Sequence, residues 1–215
     1  GHGNADGVRY ELVPSVIFSE LWHGGLYTEY DPLLADLDQD GEVELVTTLD
    51  DAIVIHHQQP DATWQETSRL DVAANTVARA AADLTGDGLT DLVLVDNQPA
   101  LTVAVGADDG SFTLAPAIPL AQAPIHLLTT RAPDGTSVVF SLHGTDPGLH
   151  SLRFTADGLA IAEPESLLFG AINDVTAADL DADGRDDLVA LVVDIDSTSV
   201  TLVPATADGW GPPRS

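Results

Sequence analysis

The stretch Ala35-Asp36-Leu37-Asp38-Gln39-Asp40-Gly41-Glu42-Val43-Glu44-Leu45-Val46 alternates acids with other residues, turns on a glycine and runs into an apolar pair. It recurs without gaps as Ala82-Asp83-Leu84-Thr85-Gly86-Asp87-Gly88-Leu89-Thr90-Asp91-Leu92-Val93 and as Ala178-Asp179-Leu180-Asp181-Ala182-Asp183-Gly184-Arg185-Asp186-Asp187-Leu188-Val189. The leading aspartates stand 47 and then 96 residues apart, one and two steps of about 48. The double step predicts a copy near position 130. Thr130-Arg131-Ala132-Pro133-Asp134-Gly135-Thr136-Ser137-Val138 fills it, keeping Asp134-Gly135 but carrying Thr, Ala and Val in place of the other acids. The chain therefore holds four repeats, one stripped of its acidic side chains.

Each repeat reads as four short β-rich segments split by Gly, Asp and Pro. Before the acidic loop comes a run such as Thr76-Val-Ala-Arg-Ala-Ala-Ala82; after it comes a Val/Leu-rich run such as Leu92-Val-Leu-Val95. An alternating segment follows, for example Ala52-Ile-Val-Ile-His56, and a fourth opens at a turn, as in Asp109-Gly110-Ser-Phe-Thr-Leu-Ala-Pro116. No window carries a sustained helical stripe. Four-stranded units at this period predict an all-β fold, a β-propeller whose blades stack radially so that each sheet buries its faces on its neighbours.

In each loop, positions 1, 3, 5 and 9 offer side-chain oxygens: Asp36, Asp38, Asp40 and Glu44; Asp83, Thr85, Asp87 and Asp91; Asp179, Asp181, Asp183 and Asp187. Position 6 is always glycine (Gly41, Gly88, Gly184), which allows the positive φ of a chain turning back. Position 7 (Glu42, Leu89, Arg185) can add a backbone carbonyl, and Arg185 then needs only that carbonyl and can point its side chain outward. Calcium takes six to eight oxygens, whereas acids converging without a cation repel. The loops therefore predict three calcium sites, the second weakest because Thr85 replaces a carboxylate. An EF-hand shares the opening but needs flanking helices and a glutamate at position 12, and valine-rich strands follow here.

The pattern Asp-x-(Asp/Thr)-x-Asp-Gly-x-x-(Asp/Glu)-Leu-Val at this period resembles the FG-GAP (VCBS-like) repeats of integrin α-chain propellers and bacterial surface proteins. The resemblance implies that the loop joins the first two strands of a blade and that calcium holds it rigid. Glu44 departs from the family's aspartate at position 9, the copy at 130–138 is expected to be empty, and the family's propellers usually have seven blades where four are visible here.

One domain over 1–215 is expected, with blades at roughly 28–70, 76–117, 125–164 and 173–206 and a tail over 207–215. Asp6-Gly7-Val-Arg-Tyr-Glu-Leu-Val-Pro14 matches the fourth-strand segment, so a strand over 7–14 is expected to complete the last blade, whose own tail is broken by Pro212 and Pro213. A closed ring of four, half of an eight-bladed homodimer and a piece of a larger propeller all fit, so the chain is a monomer or a homodimer. Residues 17–30 form an insertion rich in aromatics, either packed over one end of the ring or a recognition loop.

With 35 acidic against 7 basic residues the net charge is −28, which repels nucleic acid and anionic membranes. Cysteine is absent, so disulfides and thiolate metal sites are excluded, and no apolar run is long enough for a membrane helix. The absence of methionine and of a leader suggests a processed piece of a longer product. No Gly-x-Ser-x-Gly elbow occurs, and the loop carboxylates are committed to metal rather than to glycoside chemistry. His56-His57 follow a strand and could bind a transition metal, but neighbours on a strand face opposite ways and do not easily ligate one ion together, so a strand-end polar pair is the better reading. The expected function is a non-catalytic, calcium-binding module for extracellular or cell-surface adhesion, with a protein or glycan partner. A lectin and the scaffold of a secreted hydrolase or lyase are the alternatives, although Trp64, Phe112 and Trp210, recurring at outer-strand starts, read better as core caps than as sugar platforms.

Overall fold

The chain is described from a computed structural model, over residues 32–49, 51–96, 98–120, 122–132, 136–143, 149–155, 158–161, 171–193 and 197–215. Within them all regular structure is strand. The first blade is the meander β1 (Leu33–Ala35), β2 (Glu44–Thr48), β3 (Ala52–Gln58) and β4 (Trp64–Asp71). The second is β5 (Val77–Ala82), β6 (Asp91–Val95), β7 (Ala100–Gly106) and β8 (Phe112–Leu114), with the short β9 (Ile118–Pro119) also on β7. The third is β10 (Pro124–Arg131), β11 (Ser137–His143), β12 (Leu149–Thr155) and β13 (Gly158–Ile161). The fourth is β14 (Ala171–Ala178), β15 (Asp187–Val193) and β16 (Thr198–Val203), followed by the hairpin β17 (Ala205–Thr206) and β18 (Gly209–Trp210). The acidic loops join β1 to β2, β5 to β6 and β14 to β15, the first-to-second-strand link in each blade.

The second strands explain the stacking. β6 is buried at every residue. Successive side chains on a strand point to opposite faces, and here they enter different cores. Leu92 and Leu94 pack with Val46, Ile53 and Ile55 of the first blade. Val93 and Val95 pack in the cluster that holds Val139 and Leu152 of the third. β11 repeats the device: Val139 turns to the second blade, while Val138, Phe140 and Leu142 meet Ile172, Val175, Leu188 and Val203 of the fourth. Three apolar layers thus fill the three gaps between four sheets.

Contact between consecutive sheets runs through their first strands, β1 against β5, β5 against β10 and β10 against β14. Small side chains suit that crowding, and β5 reads Val-Ala-Arg-Ala-Ala-Ala. The first strands β5, β10 and β14 each carry a register shift, which bends a strand and sharpens its twist. Thr129 Oγ1 crosses one gap to donate to the Ala81 carbonyl at 3.1 Å.

The C-terminal tail behaves differently from its sequence reading. Pro212 and Pro213 give no ladder donors, but Arg214 pairs with Leu202 of β16 through two reciprocal backbone hydrogen bonds of 2.8 Å. The tail therefore sits on the open side of β16, the place a fourth strand takes in the other blades. Trp210, from the same tail, packs edge-on against Phe140 with ring centroids 5.7 Å apart, which bears out its reading as a core cap. Phe112 likewise packs on the layer between the first two blades. The strand expected over 7–14, the insertion 17–30 and the Asp134-Gly135 pair lie outside the described residues.

Phe140 is among the largest fully buried side chains. Phe140→Ala is expected to cost about 3–5 kcal/mol in urea unfolding, the usual loss for an emptied aromatic site. Val200→Ala, at a side chain 61% exposed, is expected to change stability by less than about 0.5 kcal/mol.

Candidate metal centres

The three loops share one hydrogen-bond plan. The glycine at position 6 donates its N–H to the position-1 carboxylate: Gly41 to Asp36 at 3.1 Å, Gly88 to Asp83 at 3.1 Å and Gly184 to Asp179 at 2.9 Å. Position 7 donates to the position-5 carboxylate: Glu42 to Asp40 at 2.8 Å, Leu89 to Asp87 at 2.9 Å and Arg185 to Asp183 at 2.9 Å. Such side-chain-to-backbone bonds two residues apart hold a turn without help from a strand. The position-6 glycines have the expected positive φ, +90°, +91° and +85°. Position 4 is left-handed too, and the sequence reading missed it: Gln39 has φ 60°, Gly86 78° and Ala182 61°. The glycine at position 4 of the second loop was the available signal.

Position 9 has a role that its spacing did not reveal. Glu44, Asp91 and Asp187 are only 1%, 0% and 3% exposed, and each clamps its loop to the sheet. Asp91 accepts from Leu84 and Thr85 N–H at 2.9 and 3.1 Å through one oxygen and from Gly106 N–H at 3.0 Å through the other. Asp187 accepts from Leu180 at 3.3 Å and from Ala205 at 2.8 Å. Glu44 accepts from Leu37 at 2.6 Å. Burial pushes the Asp91 and Glu44 carboxyls above the ordinary range, because desolvation outweighs the N–H donors that favour the charged form.

Positions 1, 3 and 5 converge in the first and third loops. Carboxylate oxygens of Asp36, Asp38 and Asp40 lie within 4.8 Å of one another, and so do those of Asp179, Asp181 and Asp183. The second loop has Asp83 and Asp87 with the neutral Thr85 between them. The donor set is oxygen alone, which suits a hard cation. Asp36 Oδ1 is buried without a hydrogen-bond partner, so the first loop holds an acceptor that a cation would satisfy. Arg185 does not point away: its Nη1 donates to Asp183 Oδ2 at 2.7 Å. With −28 net charge and few cations nearby, the guanidinium turns back to the closest carboxylate.

Neighbouring loops touch. Thr90 Oγ1 at position 8 of the second loop donates to the Asp36 carbonyl at 2.9 Å, and Gln39 Nε2 donates to the Gly88 carbonyl. In the fourth blade the position-8 residue Asp186 accepts from Thr130 Oγ1 of the third at 2.7 Å. Of the two histidines, His56 Nε2 meets Thr47 Oγ1 at 2.9 Å, while His57 turns to the loop.

Residues 36–94 match the FG-GAP-like repeat family model. The chain therefore carries this repeat across its first two acidic loops, and its structural neighbours are propeller-like. A lectin from Agrocybe aegerita, solved for its recognition of non-reducing terminal N-acetylglucosamine, superposes with TM-score 0.66 at 19% identity, over 89% of this chain and 53% of the lectin. The Tc holotoxin pore of Photorhabdus luminescens gives TM-score 0.54 at 20% identity, over 86% of this chain and 9% of the toxin. The chain thus spans about half the length of the lectin. No curated protein matches it.

Left-handed backbone at a non-glycine residue costs roughly 1–2 kcal/mol. Ala182→Gly is therefore expected to gain up to about 1 kcal/mol in urea unfolding, glycine's extra freedom in the unfolded chain offsetting the rest. A second expectation concerns pH. Asp91 has a folded-state pKa above its unfolded value, so its contribution is full below the unfolded aspartate range and is lost as pH rises through the raised folded value. In chelator, the stability of the wild type relative to Asp91→Asn is expected to fall across that window; a flat difference would contradict the assignment.

Proposed function

We propose that this chain is a calcium-stabilised, propeller-like binding module that acts outside the cell and presents its surface to a protein or glycan partner without catalysis. One observation carries the calcium half of this reading. In the first loop three carboxylates converge on a turn already shaped by its own N–H donors, and a buried oxygen of Asp36 is left without a partner. The ligand sets are Asp36, Asp38, Asp40 and the Glu42 carbonyl; Asp83, Thr85, Asp87 and the Leu89 carbonyl; and Asp179, Asp181, Asp183 and the Arg185 carbonyl. Glu44, Asp91 and Asp187 close each set from below and hold the loop on its sheet. The ion offsets the mutual repulsion of the acids, which otherwise face one another at close range.

A glycan is the better-supported partner class of the two, because the lectin superposes over most of the chain. A glycan array on calcium-loaded protein tests it, and silence across the array together with capture of a defined protein ligand would favour the protein class. Among the described residues no helix is long and apolar enough to cross a membrane.

An ion that binds only the folded state adds RT ln(1 + [L]/Kd), about 2.7 kcal/mol per site at a hundredfold excess over Kd. Excess chelator is therefore expected to lower the melting temperature, and an unchanged Tm would remove the structural role of calcium. As calcium is withdrawn, the second loop is expected to empty first for want of a third carboxylate among positions 1, 3 and 5, and the first loop last. Arg185→Gln frees Asp183 and is expected to tighten the third loop in a calcium titration followed by site-resolved NMR.

A further inference from the structure

The first blade departs from its siblings at two seats that face each other. The β2–β3 register pairs Leu45 with His56, which sets Glu44 opposite His57. In the second blade Leu92 pairs with Ala104, so the same seats hold Asp91 and Val105. In the fourth, Leu188 pairs with Val203, so they hold Asp187 and Pro204. Asp91 and Asp187 use both oxygens on backbone donors, one toward the loop and the other on Gly106 at the end of β7 or on Ala205 of β17, just past β16. Glu44 uses only Oε2, on Leu37 N–H. Its Oε1 is buried without a hydrogen bond and lies 2.8 Å from His57 Nε2. Asp38 Oδ2 approaches the same nitrogen at 3.6 Å.

We propose that Asp38, Glu44 and His57 form a second kind of metal site, one for a divalent ion of the zinc class, sharing Asp38 with the oxygen-only loop beside it. The three ligand atoms lie within 4.8 Å of one another. An ion at ~2.0–2.2 Å from each would place them roughly 3–3.6 Å apart. The Asp38–His57 spacing already fits, and the Glu44–His57 spacing needs about half an ångström of opening. Imidazole selects zinc-like ions, whereas calcium prefers oxygen alone, so the nitrogen distinguishes this position from the neighbouring loop. The cluster opens on a cleft of about 530 Å³ between the first two blades, bounded by Leu37 and Ile55 on one side and by residues 106–112 on the other. That cleft gives the ion an entry path and room for water or a ligand donor to complete its shell. His56 is excluded, because it faces Thr47.

The test uses calcium-saturated full chain titrated with Co²⁺, whose visible absorption reports the ligand field, and then with Zn²⁺ to displace it. One equivalent is expected to develop the bands and Zn²⁺ to remove them. His57→Gln is expected to weaken Co²⁺ binding at least about tenfold, while His56→Gln leaves it unchanged. Glu44→Asp, which restores the arrangement of the other repeats, is expected to weaken it as well while keeping the fold. Melting in calcium without Co²⁺ checks that each variant is folded. Absence of Co²⁺ binding in the wild type, bands that survive in both His57→Gln and Glu44→Asp, or bands lost in His56→Gln would overturn the proposal and leave Glu44–His57 a simple ion pair.

Discussion

A strand that is apolar on both sides has no face to give to water, and β6 is such a strand. Its sheet must be covered twice, which a lone four-stranded meander cannot do. The second and third blades each need a neighbour on either side. Placing sheets face to face, with successive first strands in contact, supplies both covers at once. The alternation of Leu92 and Leu94 against Val93 and Val95 is what converts a period of two along one strand into a layered order of blades. The small residues of β5 and the threonine hydroxyl that crosses from Thr129 follow from this crowding.

The acidic loops hang on that frame through one buried side chain each. A carboxylate inside a protein needs several donors, and Asp91 finds three backbone N–H groups. The clamp ties the loop's second residue to the far end of the third strand. It gives position 9 a stabilising role beside the ligand role expected of it, and it accounts for the burial of position 9 under the more exposed acids of positions 1, 3 and 5.

The repeat made the fold legible, because a period of about 48 residues with four alternating segments admits few architectures. Gly41, Gly88 and Gly184 announced the turn in the same way. What stayed hidden depended on neighbours that no spacing records. The left-handed residues Gln39 and Ala182 have side chains that disguise their backbone, and only Gly86 hinted at them. Arg185, whose side chain the sequence left free to point outward, lies on Asp183. His57 gained meaning only once the register set it across from Glu44, and the pairing of Arg214 with Leu202 joins a proline-broken tail to a strand it does not follow in pattern.

The hydrogen bonds between the first two loops have a thermodynamic corollary. Thr90 holds the carbonyl of Asp36, and Gln39 holds that of Gly88, so ordering either loop reduces the entropy left for the other to lose. Ligation at one therefore favours ligation at its neighbour, and by linkage the favour is mutual and equal. The third repeat, with its acids missing, separates the fourth blade's loop from this pair. Ions bound at the three loops would accordingly divide into a coupled doublet and a soloist, a division written by two polar side chains and not by the acids themselves.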